Sequence, residues 1–167
     1  YDSKDANILE YQTLLMKISG VDGVLVDWYG MEEFWDYGVL NSATAATFDA
    51  CEKAGLLFAI VYEDQTIKHM INNNHLAADQ DIEHGKKVMQ YLEANWFKSP
   101  AYQKINDQPL LLVFGPQYFK STSNWNQLFS VLSTPPIFFT EDNRIRPAAG
   151  AYPWPPMWKS NSNGELT

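Results

Sequence analysis

Apolar residues in this chain alternate between two textures, and that alternation carries the fold expectation. In residues 5–19, Ile8, Leu9, Leu15, Met16 and Ile18 recur near helical spacing, Asp5 suits the N-cap, and Gly20 ends the pattern. GVLVDWY at 23–29 follows, a short continuous apolar run that ends in polar and aromatic residues and is closed by Gly30. Such a run fits a buried strand of a parallel sheet. The pair then repeats. Residues 42–55 predict a helix capped by Asn41 or Ser42, with Phe48, Cys51 and Ala54 on one side, and LLFAIVY at 56–62 predicts a second strand. A short helix over 66–71, a loop over 72–75 and a longer helix over 79–96 come next, the last with Ile82, Val88, Met89, Leu92 and Trp96 as its apolar side. PLLLVF at 109–114 is a third strand, stopped by Gly115 and Pro116. Residues 124–132 are helical with Leu128, Phe129 and Leu132 inward, PIFFT at 136–140 is a fourth strand, and AAGAY at 148–152 a weaker fifth.

Strands alternating with helices imply parallel βα units and an α/β fold. Two architectures satisfy that pattern, a (β/α)8 barrel of TIM type and an open doubly wound sheet. No glycine-rich dinucleotide fingerprint follows a strand, and no phosphate-loop motif occurs, which lowers the second. A barrel needs eight strands and typically about 250 residues. The chain has 167 residues and about five strand-like runs. We therefore expect an incomplete TIM-type barrel over 1–158 and a polar tail over 159–167, with one strand missing before Tyr1 and two or more after Thr167. Open sheet edges would then favour self-association.

Composition narrows the partners. The balance of 20 acidic against 12 basic side chains, net charge −8, argues against nucleic acid and anionic membrane surfaces. No run approaches the roughly 18 apolar residues of a membrane span. One cysteine excludes a disulfide framework and a cysteine-based zinc site. Cys51 falls on an apolar helix side and reads as a structural thiol. His69, His75 and His84 share no helical face and join no acidic ligand motif, so they read as solvated side chains, and neither metal nor cofactor is expected. No GxSxG elbow marks a serine hydrolase.

Aromatic residues make up 14% of the chain, including 6 Trp and 9 Tyr, more than a core of this size needs. Many collect where strands end: Asp27-Trp28-Tyr29, Tyr62-Glu63-Asp64, Tyr118, Tyr152 and Trp154. In parallel α/β folds the C-terminal strand ends build the active face. Asp27 and Glu63 are the candidate catalytic carboxylates, because two carboxyls between aromatic walls are the equipment for cleaving a glycosidic bond. Trp28, Tyr29, Tyr62, Asp64, Tyr118, Tyr152 and Trp154 are the candidate substrate-binding residues, since sugar rings stack on aromatic faces and hydrogen-bond to their polar tips. The alternative for the acids is that Asp27 caps the next segment and Glu63 pairs with a base. Trp96 and Trp125, on helices, read as packing residues, and Trp35 and Trp158 add to the aromatic excess.

The segments YDS at 1–3, GVDGVLVDWYG at 20–30, YED at 62–64, PLLLVFG at 109–115 and AYPWP at 151–155, in that order, resemble glycoside hydrolase family 99 and family 71-like barrels. The resemblance implies a (β/α)8 fold and an extracytoplasmic enzyme acting on oligo- or polysaccharides with α-linkages, such as α-mannosides or α-glucans. It places Glu63 in the subsite of the reacting sugar. The main catalytic carboxylates of such proteins follow a Trp-Asn pair in a later strand. Here the only such pair, Trp125-Asn126, precedes Gln127 in a helical stretch. This chain is therefore expected to bind glycan without the main catalytic pair. Two other classes fit the same residues, a non-catalytic carbohydrate-binding protein and a small α/β domain for a phosphorylated ligand.

Overall fold

The computed structural model describes residues 2–154. It is an α/β structure whose parallel strands follow one another across the sheet. Helix α1 (Ala6–Ile18) leads into β1 (Gly23–Trp28), then α2 (Tyr37–Ala54), β2 (Leu57–Tyr62) and α3 (Gln65–Asn72). A 3-10 turn (Ala78–Gln80) opens α4 (Asp81–Leu92), which runs on as a π-helical turn (Glu93–Phe97). Strands β3 (Lys104–Ile105) and β4 (Gln108–Val113), helix α5 (Thr122–Phe129) and strands β5 (Ile137–Glu141) and β6 (Gly150–Tyr152) complete it. The order across the sheet is β1-β2-β4-β5-β6, all parallel, with β3 paired antiparallel to β4 alone. No strand order reverses, so this stretch has none of the switch point of a doubly wound sheet. Closure into a barrel is not seen among the described residues. The expected segments beyond 154, with Trp158 and the tail, lie outside them.

Local chemistry explains the boundaries. Asp5 caps α1 by accepting from the amides of Asn7 and Ile8. Ser121 and Asn124 form a reciprocal capping box on α5. Helix α2 begins at Tyr37, five residues before the cap preference of Ser42 suggests. Packing overrides that preference: Tyr37 is buried against Tyr29 and Phe34, while the Ser42 hydroxyl turns back to the Gly38 carbonyl. The β3–β4 hairpin was not expected. Asn106 and Asp107 both take positive φ, 50° and 64°, which makes the tight turn.

Side chains of adjacent positions on a strand point to opposite faces, and partners in register share one. Trp28, Tyr62, Val113 and Thr140 stand in register on one face, with Phe58, Ile60, Leu111 and Phe138 below them. This face carries the helices. Phe48 of α2 packs edge-on to Phe58, Trp96 of the π turn meets Trp28 and Phe58, and Trp125 of α5 lies 4.4 Å from Phe138. Cys51 is buried there, as its place on the helix suggested. The opposite face presents Leu25, Asp27, Leu57, Val61, Leu112, Phe139, Glu141 and Tyr152. Leu25 is 58% exposed and Leu57 is 37% exposed, so the β1 side of this face lies open. No helix of the described residues is long and apolar enough to cross a membrane.

Candidate active site on the open face

Backbone hydrogen bonds continue past the ends of β2 and β4, and they carry the strand-end acids toward one another. The Glu63 amide donates to the Trp28 carbonyl at 2.9 Å, and the Glu141 amide donates to the Gly115 carbonyl at 2.8 Å. Glu63 thus keeps the alternation of Val61 and faces the same way as Asp27. Glu141 stands beside its register partner Tyr152 on that face.

The electrostatics record the proximity. Burial first, then Asp27, with smaller contributions from Asp64 and Glu141, together push the Glu63 carboxyl up to about 7, against the Gln65 amide, which donates to Oε2 at 2.6 Å. Asp27 is raised by burial, opposed by the Tyr29 hydroxyl. Glu141 is raised by burial and by Asp142. Tyr29 is pushed up to about 12 by burial and then by Asp27 and Glu63. Tyr152 is raised by burial and then by Glu141, Asp27 and Glu63, while its hydroxyl donates to the Val113 carbonyl at 2.8 Å. Three carboxyls and two phenols therefore share one patch. A carboxyl poised near neutral pH is equipped to give or take a proton.

Aromatic rings wall the patch. Tyr29 stacks on Tyr37 with centroids 5.5 Å apart, and the Tyr37 hydroxyl shares a 2.8 Å hydrogen bond with His69 Nδ1. Trp35 is 63% exposed, takes φ of 50°, and contacts Phe34, Tyr37 and His69. A tryptophan with positive φ and an open ring is an unusual use of a large side chain. On the β4 side, Trp154 stands edge-on to Phe114 at 5.1 Å.

Four expected binding residues lie elsewhere. Trp28 is fully buried on the helix side, stacked on Tyr91 at 5.8 Å with its indole N–H donating to Asn41 Oδ1 at 3.0 Å. Tyr62 is fully buried on the same side, and its hydroxyl has no partner among the described residues. Strand alternation is the cause: residues next to Asp27 and Glu63 must point away from them. Asp64 is fully buried and accepts from three backbone amides, Gln117 at 2.7 Å, Tyr118 at 3.0 Å and Phe119 at 2.7 Å. It clamps the loop after β4. That loop turns at Gly115, where φ is 126° and a Cβ would lie 2.4 Å from the Gln117 nitrogen. Tyr118 donates to Asp81 at 3.0 Å at the start of α4, and burial with that acid pushes it up to about 12. His84, expected in solvent, is buried, with Nδ1 3.8 Å from Glu32.

Asp27, Tyr29, Glu63 and Tyr152 are thus brought together, and Trp154 lies beside Phe114, which shares their face. Glu141 and Tyr37 join the site, as do Trp35, one of the excess aromatics, and His69, which was expected in solvent and instead shares a hydrogen bond with Tyr37. Glu141 directly follows the apolar run at 136–140, the same strand-end signal that marks Asp27 and Glu63. Trp35 sits in an irregular segment with no periodicity to orient it.

Among the described residues, no group of three His, Cys, Asp or Glu side chains is arranged to hold a metal ion. A cavity of about 280 Å³ lies between α1 and α2, but no member of the acid patch lines it. No family model and no curated protein matches the chain.

Proposed function

We propose that the open face is a carbohydrate-binding cleft of glycoside hydrolase type, on a sheet that is part of a (β/α)8 wall. The observation that carries this reading is the convergence of Asp27, Glu63 and Glu141 with Tyr29 and Tyr152 at neighbouring strand ends. Carboxyls set between aromatic faces suit the polar rims and apolar faces of a sugar ring. A phosphorylated ligand would meet only negative charge there. Unbroken strand order and helices confined to one face support the barrel element of the reading. The ligand we assign is an oligo- or polysaccharide with α-linkages, such as an α-mannoside or α-glucan. Glu63 serves as the proton-bearing carboxyl, Asp27 and Glu141 orient hydroxyls, and Trp35 and Trp154 stack on sugar faces.

The test is titration with α-mannan and α-glucan oligosaccharides, followed by calorimetry and by NMR shifts at Asp27, Tyr29, Glu63 and Tyr152. We expect binding, weakened about tenfold or more in Trp35→Ala. Binding by neither oligosaccharide, or binding that leaves the shifts of these four residues unmoved, overturns the reading. Hydrolysis lost in Glu63→Gln would extend the role from binding to catalysis.

A further inference from the structure

Helix α1 has two apolar faces, and only one of them is covered among the described residues. Leu9 and Thr13 are buried and line the cavity against α2. Both charged residues of the helix turn the same way. Glu10 lines that cavity, and Lys17 Nζ donates at 2.6 Å to the carbonyl of Gly55, which caps α2. The other face carries Ile8, Tyr11, Leu15 and Ile18. Ile18 is 81% exposed and Tyr11 is 68% exposed, Leu15 is also exposed, and Ile8 is half-buried. An apolar stripe left open along a helix marks a surface that meets another. Its spacing of three, four and three residues is that of a coiled-coil seam.

Spacing and charge together say what covers it. Intervals of three, four and three read the same from either end. An antiparallel second copy of α1 therefore sets Ile8 against Ile18 and Tyr11 against Leu15, with every apolar position matched. The chain carries a net charge of −8, yet α1 holds one acid and one base, and its outer stripe holds neither. Two copies can meet on this face without the like-charge repulsion that their acidic surfaces would bring elsewhere. Antiparallel helices also set opposite dipole ends side by side. A strongly charged partner would find nothing on the stripe to pair with.

We propose that the outer face of α1 is a self-association surface, on which α1 pairs antiparallel with α1 of a second copy of this chain about a twofold axis. The contact uses the helix layer and leaves the open face of the sheet free, so it stands independently of the carbohydrate reading. A seam of one short helix per copy is small, and the association it supports is weak and reversible.

The experiment is sedimentation equilibrium of the chain over roughly 1 μM to 1 mM. We expect a reversible equilibrium between monomer and dimer. Ile18→Glu should weaken it about tenfold or more, while the circular dichroism of the dilute chain stays unchanged, because the residue is exposed. Leu25→Lys, on the open face of the sheet, should leave the equilibrium as it is. Tyr11→Glu and Leu15→Lys should each be monomeric alone. Mixing those two variants should restore a dimer, because the antiparallel register sets position 11 of one copy against position 15 of the other. A chain that stays monomeric over the whole range overturns the proposal. So does a dimer that survives Ile18→Glu and is lost in Leu25→Lys, which would put the contact on the sheet. Single variants that remain monomeric when mixed overturn the antiparallel pairing.

Discussion

The two faces of this sheet are built from the same strands and do opposite work. On the helix side Trp28, Phe58, Tyr62, Leu111 and Phe138 are almost wholly out of solvent, packed against aromatic residues of α2, the π turn and α5. On the other side Leu25 and Leu57 stand in solvent at one end, and Asp27, Glu63 and Glu141 gather at the other. The covered face spends its residues on packing. The open face holds Glu63 within reach of Asp27 and Glu141, both of which raise its carboxyl, an arrangement that costs stability. Neighbours in sequence fall on different sides of this divide: Asp27 and Trp28, Tyr62 and Glu63.

The contrast predicts a descending series of effects. Trp28→Ala should be the most damaging, about 4 kcal/mol in urea denaturation, because it empties a site shared by Tyr62, Tyr91 and Trp96. A loss below about 1 kcal/mol would show that the helix side is not the packed side. Next comes Asp64→Asn, which replaces one of two accepting oxygens by a donor facing backbone N–H groups. We expect about 3 kcal/mol, with hydrogen exchange accelerated at Gln117, Tyr118 and Phe119.

Glu63→Gln should act with the opposite sign. The folded carboxyl titrates near 7 and the unfolded one near its ordinary 4.5, so between these values the folded chain holds a proton that the unfolded chain has lost. Stability therefore falls as pH rises through that window, and the cost is complete above the folded value. Removing the carboxyl should flatten the fall and stabilise the chain by about 2 kcal/mol above neutral pH, with no difference in acid. Parallel pH profiles for the two proteins would contradict the burial of Glu63. The smallest effect belongs to Leu25→Ser on the open face, within about 0.5 kcal/mol by thermal unfolding. A larger loss would mean that something covers that face in solution.

How much of this was legible follows from the same divide. The strand runs could be read, because each is a bounded apolar stretch, and the β1, β2, β4 and β5 positions fall within two residues of expectation. Asp27, Glu63 and Tyr152 could be found as strand-end polar residues. What could not be read was which of two neighbours faces the cleft. A parallel strand is apolar on both faces, so Val24, Leu25 and Val26 give no sign of which side the helices cover. Trp28 and Tyr62 therefore look like cleft residues in the sequence, although alternation turns them to the helix side. Asp64 looks like one as well, because its partners, three amides more than fifty positions away, form no local pattern. The two-residue β3 left only its turn as a signal.

The unbroken strand order has a consequence for how the chain comes into being. β1 can dock with β2 once the α2 segment between them has been made, and β4 and β5 then add at the growing edge in turn. Each addition closes a loop of modest length, which keeps the entropic cost of assembly low. A ribosome releasing this sequence from its N-terminus would thus deliver the strands in the order in which the sheet receives them, and the acids at the strand ends would meet last, after the scaffold that holds them apart is already in place.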